Sequence, residues 1–134
     1  MEISLLNGKV PEDLQAIIDK NESREEFHLE CEWKFEGRKG GELVGVIAYR
    51  LGDLGGNPAP QFCHVIIAPQ FRGKDEARQL LYESESSLMA IGYKQVYCYI
   101  QNEKKYMHRS ALHHGYAPFE SDEDGMFYFK PLGA

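Results

Sequence analysis

Several things are scarce in this chain, and each scarcity narrows what it can be. No apolar run approaches the length of a bilayer span, and Met1–Leu6 is acidic and too short for a secretory leader, so neither an anchor nor a signal peptide is expected. Basic residues are in deficit: 15 Lys and Arg against 21 Asp and Glu leave a formal charge of −6, which argues against a nucleic-acid partner. Cysteine is limited to Cys31, Cys63 and Cys98, odd in number, widely spaced and each inside a predicted strand. That pattern suits buried reduced thiols in a reducing, cytoplasmic setting and not a disulfide framework. There is no internal repeat and no low-complexity tract, and the acid-rich stretches Glu22–Glu26 and Glu120–Asp124 read as solvated loops.

What is present suits one α/β domain over residues 1–134. Glu2–Leu6 reads as a first strand. Pro11 fits the opening turn of a helix in which Glu12 and Asp13 complement the dipole and Leu14, Ile17 and Ile18 face inward. Asn21–Glu25 is a polar loop. Phe27, Leu29, Cys31, Trp33 and Phe35 then alternate with His28, Glu30, Glu32, Lys34 and Glu36, the mark of a strand with one wet face. Gly37–Gly41 is the turn to its antiparallel partner, Leu43–Tyr49, and Gly52–Pro60 reads as a loop.

The stretch from Val65 to Leu81 organises the rest. Phe62–Ile67 is nearly all apolar and predicts a central strand, which Pro69 ends because proline has no N–H for a ladder. After Gly73 the period becomes helical, with Ala77, Leu80, Leu81, Ser84, Leu88 and Ile91 on one stripe and Gly92 as the stop. A strand, an Arg72-Gly73-Lys74 turn and a helix start with unpartnered N–H groups make a candidate anion cradle; the plain alternative is an ordinary connection. Lys94–Gln101 is the next strand. Asn102 can cap a helix over Glu103–His114 that Gly115 stops, Ser121–Gly125 is a turn, and Met126–Phe129 is a last strand. The order βαβββαβαβ predicts the α/β (α+β) class: a mixed, mostly antiparallel sheet with one parallel β-α-β crossover and helices on both faces.

This order and several local motifs resemble the GNAT superfamily of acyl-CoA-dependent N-acyltransferases. Its members commonly show a strand ending in Val-x-Pro, then aromatic-Arg-Gly-Lys-Gly-x-Gly and a Leu-Leu that opens a helix. Here the run is Ile67-Ala68-Pro69, Phe71-Arg72-Gly73-Lys74-Asp75-Glu76-Ala77 and Leu80-Leu81. Glu42-Leu43-Val44-Gly45, Gly92-Tyr93-Lys94 and His114-Gly115-Tyr116 match three further family patterns, so the likeness runs from about Glu42 to Tyr116. The resemblance implies acetyl-CoA as the acyl-donor substrate, an unidentified small-molecule or peptide amine as acceptor, and no metal. It places the pantetheine along Val65, Ile66 and Ile67 and the pyrophosphate on the N–H groups of Arg72, Gly73, Lys74, Asp75, Glu76 and Ala77, with Asn102 a further cofactor contact. A homodimer is an assembly the sequence allows.

The chain departs from the family where chemistry is expected. The pyrophosphate-turn glycine is Asp75, whose charge opposes a phosphate, and Glu76 adds to it; Arg72, Lys74 and Arg78 offset both. Counting back from Gly115, the tyrosine that commonly protonates the leaving thiolate falls on Ala111, and the helix's early asparagine falls on Lys104. His108 and His114 lie three residues either side of Ala111 and can substitute, as can Tyr106. As general base, His64 is the sharpest candidate, with Glu30 and Glu32 as alternatives through water; the plain reading makes the histidine a hydrogen-bonded core residue. The spacing of His108, His113 and His114 does not gather a metal site, and no cysteine has an evident base beside it. Two further readings stand beside the transferase: a GNAT-fold binding or structural protein, such as a virion or accessory component, that has lost catalysis, and a sensor that binds acyl-CoA without transfer.

Overall fold

Val44, Val46 and Ala48 alternate with Ile47 and Tyr49 along strand β3 (Glu42–Leu54), and all five are fully buried, so this strand has a core on each face. The computed structural model describes residues 1–6, 10–20 and 31–133. Val46 and Ala48 pack with Leu43, with Ile66 of β4 (Asn57–Ile67) and with Leu14 and Ile18 of helix α1 (Glu12–Asp19). Ile47 and Tyr49 pack on the other face with Leu80 and Leu88 of α2 (Glu76–Ile91) and with Val96, Cys98 and Ile100 of β5 (Gln95–Gln101). Ala111 of α3 (Lys105–His113) joins this second core.

With β1 (Glu2–Leu5), β2 (Trp33–Lys39), β6 (Ala117–Ser121) and β7 (Gly125–Pro131), the strands form one seven-stranded sheet in the order β1-β2-β3-β4-β5-β7-β6. Every neighbouring pair is antiparallel except β4 and β5. Mixed sheet, single parallel crossover and helices on both faces are as the residue pattern predicts.

The differences have local causes. The turn after β2 is only Gly40–Gly41, both at positive φ (58° and 81°), which suits a tight hairpin; Gly37 stays inside the strand, where a Cβ would meet Met1 Sδ at 2.7 Å. Gly52–Pro60 is not a loop: β3 and β4 run on as a two-stranded ribbon turning at Gly55–Gly56 (φ 61° and 88°). Pro58 and Pro60 fit a strand here because they are two apart, so both missing N–H groups fall on the edge that β3 does not use. Strand β6 was not foreseen; its five residues are all exposed and carry no alternation. Ile91, placed on the inner stripe of α2 from sequence, is 53% exposed, and Glu76 and Glu85 are buried instead. Asn102 does not cap α3. Its amide donates to the carbonyl of Glu123 at 2.9 Å, and Lys104 takes the cap position without a side-chain bond. Of the three cysteines only Cys98 is buried and in a regular strand core; Cys31 precedes β2, and Cys31 and Cys63 are half-buried. The expected loop Asn21–Glu25, the strand residues Phe27–Glu30 and the acid run Glu22–Glu26 lie outside the described residues.

Candidate functional site

The site begins with a bulge. Ala48 lies opposite His64 and Tyr49 opposite Phe62, so Cys63 is an extra residue in β4 with no partner in β3. A bulge bends its strand and increases its twist. Among the described residues β4 and β5 share one ladder pair, Gln61 opposite Tyr97, reinforced by the Tyr97 hydroxyl donating to Gln61 Oε1 at 3.2 Å. Beyond that pair the two strands diverge, and a cavity of about 260 Å³ occupies the gap. Phe62, Cys63 and Val65 form its β4 wall; Cys98, Tyr99 and Ile100 form its β5 wall. Ala77, Arg78 and Leu81 of α2 close one side, and Tyr106, Met107, Ser110, Ala111 and His114 line it from α3.

The turn into α2 lies next to this cavity. A short 3-10 turn, Pro69–Phe71, leads to Gly73 at φ 76°, a left-handed backbone that glycine adopts without strain. The Gln79 N–H returns to the Asp75 carbonyl at 3.2 Å, which leaves the N–H groups of Glu76, Ala77 and Arg78 without an acceptor inside the helix. Asp75 occupies the cap position but makes no side-chain cap bond. Its carboxylate pairs with Arg78, whose Nε donates to Oδ1 at 2.9 Å, and this hydrogen bond holds the Asp75 carboxyl below its usual range. Glu76 turns inward to Lys39 Nζ at 2.6 Å. The two acidic residues that opposed a phosphate on paper are thus each matched by a cation. Lys74 is exposed beside Phe71, and Arg72 Nε donates to the Ile67 carbonyl at 3.0 Å, fixing the turn to the end of β4.

Of the residues singled out from sequence, Val65, Ala77, Tyr106 and the Ala111 position meet around one cavity. His64, Glu32 and His108 do not line it. His64 lies on the Ile66 side of β4, the side that α1 covers. Glu32 is exposed and accepts the Leu51 N–H at 2.5 Å. Both ring nitrogens of His108 are engaged, Nδ1 with the Tyr128 hydroxyl at 2.7 Å and Nε2 with the Gln101 carbonyl at 2.9 Å, so His108 pins α3 to the sheet. Glu30 lies outside the described residues. His114 does reach the cavity, and its Nδ1 is 2.7 Å from the Ser110 carbonyl. A carbonyl only accepts, so Nδ1 carries the hydrogen and Nε2 remains for chemistry.

Sequence reasoning missed a buried polar group behind the cavity. Glu85 is 5% exposed and receives the Tyr116 hydroxyl and Lys130 Nζ, each at 2.8 Å. Burial pushes the Tyr116 hydroxyl pKa far above its usual value. The signal was a glutamate beside Ser84 on the inner stripe of α2. Among the described residues no group of three His, Cys, Asp or Glu side chains could hold a metal ion, and no helix is long and apolar enough to cross a membrane.

No protein-family model matches the sequence, and no curated protein matches it either. Solved structures do match its shape. A Bacillus subtilis acetyltransferase in complex with CoA superposes with a TM-score of 0.74 at 14% identity, over 97% of each chain. A GNAT family acetyltransferase from Elizabethkingia anophelis with acetyl-CoA bound gives 0.70 at 13% identity, over 98% of this chain and 97% of that one. The paia N-acetyltransferase from Thermoplasma acidophilum in complex with coenzyme A gives 0.68 at 14% identity, over 98% and 100%. The fold is therefore that of the GNAT acetyltransferases, as Arg72-Gly73-Lys74 and the order of elements imply.

Proposed function

We propose that this protein is an acyl-CoA-dependent N-acetyltransferase, acting in the cytoplasm and moving the acetyl group of acetyl-CoA to a small-molecule or peptide amine. The observation that carries this reading is the cavity between β4 and β5, with the unpaired N–H groups of the α2 start beside it. At about 260 Å³ the cavity is smaller than the roughly 300–1,000 Å³ of whole-ligand pockets, which suits the narrow pantetheine arm of a donor whose nucleotide lies outside. The free edge of β4 at Val65–Ile67 offers backbone groups to that arm. Gly73, Lys74, Asp75, Glu76 and Ala77 offer N–H groups to the pyrophosphate, with Arg72 and Lys74 adding positive charge.

In the transfer the amine nitrogen attacks the thioester carbonyl, the C–S bond breaks, and the new amide forms. The nitrogen's surplus proton passes to a base; neither His64 nor Glu32 lines the cavity, so each is proposed to act only through intervening water. The leaving thiolate takes its proton from Nε2 of His114 in its imidazolium form, which returns the ring to the neutral tautomer whose Nδ1–H stays bonded to the Ser110 carbonyl; Tyr106 at the cavity rim is the alternative donor. Calorimetry with coenzyme A, followed by mass spectrometry of a panel of amines incubated with acetyl-CoA, tests the reading. Heat of binding and an acetylated amine are expected. No heat at near-millimolar coenzyme A and no product would remove it.

One observation favours a second reading, a catalytically silent binding or structural protein: Ala111 lines the cavity where the family commonly supplies its proton-donating tyrosine. If Ala111→Tyr creates turnover that the native chain lacks, the second reading stands. Equal turnover in both leaves the transferase.

A further inference from the structure

Helix α3 is held unlike α1 and α2. Leu14 and Ile18 anchor α1, and Leu80, Ser84 and Leu88 anchor α2, all of them fully buried, whereas no residue of α3 is buried. Its inward side faces the cavity: Met107, Ser110 and Ala111 line it, and Tyr106 at the rim is 76% exposed. Of its residues Ala111 packs against the core. The polar attachment is His108, seated between Gln101 and Tyr128. A carbonyl only accepts, so Nε2 donates to Gln101 at 2.9 Å, and the Tyr128 hydroxyl donates to Nδ1 at 2.7 Å. The flanks of the helix are fixed more firmly. Asn102 bonds twice to the turn between β6 and β7, its N–H to the Asp124 carbonyl at 2.8 Å and its side-chain amide to the Glu123 carbonyl at 2.9 Å. Beyond Gly115, Tyr116 is buried and its hydroxyl donates to Glu85 at 2.8 Å.

We propose that α3 is a lid over the cavity, latched by His108 and moving between fixed points at Asn102 and Tyr116. Opening it breaks the two His108 bonds and uncovers little apolar surface, whereas opening α2 would bare Leu80 and Leu88. The lid therefore opens locally, long before the sheet does. An occupant of the cavity touches Met107 and Ser110 as well as β4 and β5, so it binds the closed state better and shifts the helix toward it. The latch thereby sets how readily the cavity fills and empties.

Native-state amide hydrogen exchange of the full-length protein, read residue by residue by NMR, tests the lid. Amides of α3 are expected to exchange as one unit, roughly a hundredfold faster than those of α2 and β5. His108→Ala is expected to speed α3 roughly tenfold further, and Tyr128→Phe, which keeps the ring, roughly threefold, with α2 and β5 unmoved. Protection of α3 equal to that of α2 would overturn the proposal. So would exchange graded from the helix ends and indifferent to both variants, or acceleration by Tyr128→Phe spread over the whole chain. The native pattern decides even if a variant fails to fold. Near-millimolar coenzyme A is expected to slow α3 exchange by roughly tenfold, and this arm alone rests on the transferase reading. Calorimetric heat with unchanged α3 exchange removes the lid and keeps that reading; no heat removes the reading, and the exchange of the free protein decides the lid.

Discussion

Asp75 shows how a side chain that reads as an obstacle from sequence can be disarmed by one three residues on. It stands where the family places glycine, yet Arg78 holds its carboxylate and leaves the helix start uncapped. Asp75→Gly is therefore expected to tighten coenzyme A binding only modestly, by roughly two- to fivefold in Kd by calorimetry, the scale of one charge at a helix terminus. Behind the cavity, Tyr116→Phe removes one of two partners from the buried Glu85 carboxylate. The expected loss is about 1–3 kcal/mol of unfolding free energy in urea, while Tyr82→Phe, at an exposed position, is expected to cost little. At this scale legibility followed chemistry: Val65, Ala77 and the Ala111 position line one cavity, and a motif fixed the spacing of each. The Glu85 contact with Tyr116 was not legible, because it spans a long sequence separation that only the folded sheet closes.

Elements were easier to read than contacts where pattern and punctuation agreed. The apolar run to Ile67, Pro69, the turn at Gly73 and the stop at Gly92 all carry a single meaning, and the end of β4 and the span of α2 fall where they should. Gly52–Pro60 failed because its prolines and glycines signal a loop unless the outer edge of the strand is free, which depends on β5 ending its pairing at Gln61. Strand β6 failed because exposed Ala117–Ser121 owes its conformation wholly to β7. The attachment of α1 to the hairpin offers a pH test. Arg38 donates to both Asp13 oxygens, at 2.8 and 2.9 Å, and to the Gly41 carbonyl at 3.0 Å. That hydrogen bonding lowers the Asp13 carboxyl from its ordinary 3.8, so its stabilisation is fully present above that pH and is lost as pH falls below it. Half-exposed Asp13 limits the effect. Arg38→Ala is expected to cost roughly 0.5 kcal/mol near neutrality and to flatten the acid limb of a thermal-melt series below pH about 4.

Among the described residues the sheet is closed at neither end: β1 and β6 each pair on one side only. Every residue of β6 faces water, Phe119 among them at 43% exposure, and its rings Phe119, Phe127 and Phe129 form a continuous aromatic row with β7. An unbroken edge of that kind would recruit the same edge of another molecule. Here the ladder is interrupted between Pro118 and Glu120, a proline withholds one donor and a carboxylate repels its own kind. An interrupted, charged edge is a poor template for a second copy. Pro118→Val together with Glu120→Thr is expected to leave the melting temperature nearly unchanged while the protein sediments as large assemblies at concentrations where the native chain stays dispersed.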